Sequence, residues 1–85
     1  MSEAAKDMER YIAAARAIID GRHPLTDRGA IMVTLEGAVA ATLIFVMGGD
    51  HRAAVAMLNE GLLEGVESRI ALGASRHQKA QGKTP

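Results

Sequence analysis

Few residues in this chain combine the type and spacing that chemistry requires. Glu36 is the most unusual, a carboxylate inside the apolar run from Ala30 to Met47. A carboxylate in such a run must be paired, be hydrogen-bonded, change protonation or reach solvent. It is expected as a buried acid, one turn past Met32 and paired with an arginine such as Arg10 or Arg16. A ligand-binding or catalytic acid is the functional alternative.

Glu60, Glu64 and Glu67 follow at spacings of four and three and form an acidic face. Like charges so spaced on a helix repel by roughly a few tenths of a kcal/mol each. They are expected to face solvent or the basic residues of a neighbouring helix. A divalent-cation site or a dock for a basic partner is the alternative. The Glu-x-x-His pattern of di-metal bundles does not occur, so no metal ligands are assigned.

The other reactive types are scattered. His23, His51 and His77 fall in a turn, at a helix start and near the C-terminus, without the His-Glu-x-x-His spacing of a zinc site. Cysteine is absent, which removes disulfides, thiolate nucleophiles and cysteine-ligated zinc. Ser2, Ser68 and Ser75 have no nucleophile-elbow context. Gly48-Gly49 lacks the Gly-Lys-Ser/Thr that ends a phosphate loop, and Gly82-Lys83-Thr84 lacks the upstream glycine and the following helix. No catalytic, cofactor-binding or metal-binding residue is assigned, and enzyme activity is not expected.

The elements that carry these residues are helical. Ala30–Met47 is too long for a buried strand and contains no proline, and its helix formers outnumber Val33, Val39, Ile44 and Val46. Thr26 is placed to cap its start, Asp27 suits the first turn, and Gly48-Gly49 suits a left-handed end. Ser2 caps an earlier helix whose apolar stripe runs through Met8, Ile12, Ala15 and Ile19. Gly21 follows its last turn, and Arg22-His23-Pro24-Leu25 makes a short connection. After Asp50, Val55, Leu58, Leu62, Val66 and Ile70 recur at helical spacing, and the unbroken periodicity favours one helix despite Gly61 and Gly65. The predicted fold is all-α, an antiparallel up-down-up bundle of three helices over about 3–20, 27–47 and 51–75. They form one domain over 1–76, followed by a disordered basic tail over 77–85.

The central helix determines the rest of the reading. It is apolar on nearly every side, and such a helix is either buried or spans a membrane. Its apolar run is slightly short for a span, and Glu36 within it would cost about 2.5–3.5 kcal/mol at a bilayer centre. A buried helix without a membrane span is therefore expected. Two neighbouring helices cannot cover its whole circumference. The remaining side is expected to join a second copy in a homodimer, with Val39, Leu43, Ile44, Val46 and Met47 as interface residues.

Ten basic and ten acidic residues balance over the whole chain, but Arg76, Lys79 and Lys83 crowd the C-terminus and leave the body slightly acidic. That distribution argues against a nucleic-acid surface on the body. The spacing around Gly61 and Gly65 also fits a helix-turn-helix poorly. The N-terminal segment lacks the pattern of a signal peptide, so a cytoplasmic location is expected. These features predict a small helical interaction or regulatory accessory protein, working as a homo-oligomer without cofactor, with an unidentified protein partner possible. A dimeric DNA-linked regulator using the basic tail, or a ligand-binding bundle with Glu36 inside, are the alternatives.

Overall fold

A computed structural model describes residues 2–81 of the 85, with side chains through Ala74. It is all-helical, and no strand occurs among the described residues. The elements are α1 (Glu3–Ile19), α2 (Arg28–Val46), α3 (His51–Met57), a π-helical turn (Leu58–Leu62) and α4 (Leu63–Gln81). The last three follow one another without a gap, so the described residues form three helices, as the periodicity predicts. It divides into two units, Met1–Thr42 and Leu43–Pro85.

In the first unit, the Ser2 hydroxyl accepts from the Ala5 N–H at 3.2 Å and caps α1. Arg10 and Glu3 pair at 3.4 Å on the outer surface, where solvent leaves such a contact little weight. Asp20 (φ 50°) and Gly21 (φ 69°) turn the chain through left-handed conformations. Arg22 then folds back. Its Nε donates to the Ile19 carbonyl at 3.0 Å, and its Nη2 donates to the Ile18 carbonyl. The same Nη2 reaches Thr34 Oγ1 at 3.0 Å. One guanidinium thus covers carbonyls that α1 leaves open and ties its end to α2.

The entry to α2 differs from the expected Thr26 cap. His23 takes that place, and Pro24 occupies the first helical position, where its missing N–H costs nothing. His23 Nδ1 accepts from the N–H groups of Leu25 (3.1 Å) and Thr26 (3.3 Å). Asp27 Oδ2 in return accepts the His23 N–H at 2.8 Å. The Asp27 N–H donates to the His23 carbonyl at 2.9 Å, so a helical turn is already wound before Arg28. Thr26 missed the role because proline set the start three residues earlier.

Within α2, the Thr34 hydroxyl donates to the Ala30 carbonyl at 3.2 Å and the Thr42 hydroxyl to the Ala38 carbonyl at 2.7 Å. Both polar groups are satisfied inside their own helix. The helix ends as its two glycines predict. The Gly49 N–H donates to Ile44 O (2.8 Å) and the Gly48 N–H to Phe45 O (3.2 Å), the paired bonds of a Schellman motif. The φ angles are 65° at Gly48 and 84° at Gly49.

In the second unit, Asp50 caps α3 by accepting from the Ala53 N–H at 3.0 Å. The π turn contains Gly61, near which a break in the third helix was the alternative to one continuous helix. The helix widens there and carries on. A Cβ at Gly61 would stand 3.2 Å from Met57 Sδ. Asn59 in the same turn donates its side-chain amide to the Val55 carbonyl at 3.0 Å. Beyond it, α4 passes the expected end at about residue 75 and includes residues 77–81, placed in the disordered tail by their polarity. Gln78, Lys79, Ala80 and Gln81 are good helix formers, and propensity outweighs polarity there. The rest of that tail, 82–85, lies outside the described residues.

Gly65 lies inside α4 with nothing within 4 Å of where a Cβ would be. Gly65→Ala removes only the entropic cost of glycine in a helix, about 1 kcal/mol. A thermal melt is expected to show Tm rising by roughly 4 °C or more for a domain of this size.

Candidate interaction surface

Ala54 is the one buried residue among those described, at 6 % exposure. Sixteen large apolar residues are exposed, from Met8 in α1 to Leu72 in α4. Natural domains retain a core because apolar burial is the main term opposing chain entropy. Within one chain that apolar surface is left largely uncovered.

The most exposed part of it lies on α2. Phe45 is 84 % exposed, Val46 71 % and Val33 67 %. Val33, Gly37, Ala41 and Phe45 are spaced four apart, so they form one ridge along the helix, and all four are exposed. The ridge reads large, small, small, large. Of the expected interface residues, Val46 is exposed, while Val39, Leu43, Ile44 and Met47 are half-covered within the chain. The expected interface residues leave out all four positions of this ridge. The four-residue spacing was the available signal.

Glu36 corrects the expectation of a buried acid. It is exposed. Arg10, one of its two expected partners, pairs with Glu3 instead. The reason is that α2 is uncovered on the side where Glu36 sits, so water can solvate the carboxylate.

Glu60, Glu64 and Glu67 are all exposed, with Glu60 in the π turn and the other two in α4. Among the described residues, no three histidine or carboxylate side chains converge as a metal would need. An open groove of about 450 Å³ lies in the second unit, lined by Met47, Ala53, Ala56, Met57, Glu60 and Gly61. Its walls are apolar and mobile in type, with Glu60 the one charge at its edge. His51 stands at the start of α3, and the side chain of His77 lies outside the described residues.

No family model, curated protein or solved structure matches this chain. The functional reading therefore rests on the surface alone.

Proposed function

We propose that this chain is a small helical association module that acts as a homodimer and carries no catalysis of its own. One observation supports this above the others: α2 is 19 residues long and largely apolar, and none of its residues is buried. In this reading two copies complete an antiparallel helical bundle around their second helices. The ridge suits a two-fold pairing. With the axis beside Val39, Gly37 of one copy faces the partner's Ala41, and Val33 faces the partner's Phe45. Small residues at the crossing let the backbones approach, and large ones close the ends. Half-covered Val39, Leu43, Ile44 and Met47 would flank the contact.

A second reading has its own support. At 1.5 Å per residue α2 is about 28 Å long, close to a bilayer's hydrocarbon core, and it is apolar enough to cross one. Glu36 near its middle weighs against that, at about 2.5–3.5 kcal/mol on insertion scales. The homodimer leaves the carboxylate free to remain at the water-facing edge of the contact.

Light scattering on protein purified without detergent tests both readings. The expected mass is that of two 9.0 kDa chains. A single-chain mass at micromolar concentration would overturn the homodimer. Recovery only in detergent would transfer support to the membrane reading.

A further inference from the structure

We infer that the groove beside the π turn receives the basic end of α4 from a second copy, joining chains head to tail. The contact uses residues other than those of the α2 ridge and does not rest on it. The groove is open and about 450 Å³, with walls of Met47, Ala53, Ala56, Met57 and Gly61 and one carboxylate, Glu60. Methionine-rich walls adapt to the shape of an apolar side chain placed between them. Gly61 leaves Met57 its room there: a Cβ at Gly61 would stand 3.2 Å from Met57 Sδ.

Charge says what kind of segment fits. Glu64 and Glu67 continue from Glu60 at spacings of four and three, and all three are exposed. The one ion pair among the described residues joins Arg10 and Glu3, so none of these acids is in an ion pair there. Like charges at this spacing repel one another, and a basic segment laid along them relieves that repulsion. The occupant therefore carries one apolar side chain for the groove and then bases at helical spacing.

The chain itself contains that segment. Arg76 and Lys79 follow Leu72 at the same spacings of four and three, and Lys83 comes four later. Leu72 is apolar yet 52 % exposed. With two helices laid parallel and shifted by twelve residues, the partner's Leu72 is level with Glu60 and the groove. The partner's Arg76 is then level with Glu64, and the partner's Lys79 with Glu67. One chain cannot make this contact with itself. Its α4 follows directly on the π turn and is unbroken from Leu63 to Gln81. At 1.5 Å per residue, Arg76 and Lys79 are each held about 18 Å along the rod from the acid they would meet. A second copy must bring them. The two surfaces are unlike, so the contact does not close within a pair. It continues in series, or strings ridge dimers together.

Sedimentation equilibrium of the full chain at about 0.02 and 0.5 M NaCl provides the test, since salt screens exposed charges. Low salt is expected to show species beyond two chains that grow with concentration. High salt should return the mass to that set by the ridge: two chains, or one where the ridge reading fails. Glu64→Lys with Glu67→Lys, and Arg76→Glu with Lys79→Glu, each set like charges across the contact. Either double variant alone is expected to weaken the serial association constant at least about 10-fold at low salt. An equal mixture of the two double variants has opposite charges at every alternating contact and should recover the assembly. Leu72→Ala should weaken the contact about 10-fold and leave Tm unchanged, because the side chain is exposed within one chain. The inference is overturned if wild type shows nothing beyond two chains at low salt, or if either double variant assembles as wild type does. It is equally overturned if the mixture fails to recover the assembly or if Leu72→Ala leaves the contact unchanged.

Discussion

Ala41→Glu is expected to convert the proposed dimer to single chains of 9.0 kDa. Ala41 is exposed on α2, so the new carboxylate meets water and no neighbour within one chain. The only intrachain cost is the modest loss in helix propensity, about 0.4 kcal/mol. Across the proposed two-fold axis the outcome differs. Each glutamate would stand against the partner's Gly37, desolvated and without a counter-charge, and the pair would approach each other near the axis. A buried, unpaired charge at an interface costs about 2–5 kcal/mol. Taking about 3 kcal/mol, the dissociation constant rises at least 100-fold. Ala41→Ser keeps the small size and should retain the dimer mass. Equilibrium sedimentation across a concentration series reads both variants. An unchanged association constant for Ala41→Glu would remove α2's ridge from the interface.

Replacing Gly48 and Gly49 together with alanine is expected to cost roughly 2–4 kcal/mol, at about 1–2 kcal/mol for each residue forced into a left-handed conformation. Both positions have φ well above zero, and nothing lies within 4 Å of either prospective Cβ. The penalty is therefore conformational and not one of crowding. The two Schellman bonds to Ile44 and Phe45 depend on those angles. For a domain of this size the loss corresponds to a Tm lower by roughly 10–30 °C in a circular dichroism melt. Gly65→Ala, at an ordinary helical φ, should move the other way. Equal effects at the two sites would mean that the left-handed turn is not what the glycines supply.

The helices were legible because their signals are local. Ser2, Asp50 and Gly48-Gly49 do what their chemistry suggests, and the apolar periodicities mark the right segments. Signals failed where two local rules competed. At the start of α2, Thr26 is a good cap by type, but Pro24 fixes the backbone first and hands the role to His23. From His77 the polar composition suggested disorder, while helix propensity kept the backbone wound to Gln81. Glu36 failed for a longer-range reason. Its predicted burial presumed that the Glu36 side of α2 would be covered, with Arg10 or Arg16 within reach, and pattern alone does not say which surfaces a fold covers. The Arg22 bond to Thr34 was invisible for the same reason, since it joins residues twelve apart in sequence.

The π turn has a bearing on how this helix could have arisen. A widened turn accommodates one residue more than an ordinary α-helix, so it is what a single-codon insertion leaves behind in a helix that stays continuous. Removing one residue between Leu58 and Leu62 would let the ladder close up as ordinary α-helix, and Val66 and Ile70 would keep their side relative to Val55, because the widened turn already absorbs the extra residue. The bulge in effect preserves a phase, and it keeps residues of α4 on the side they share with those of α3.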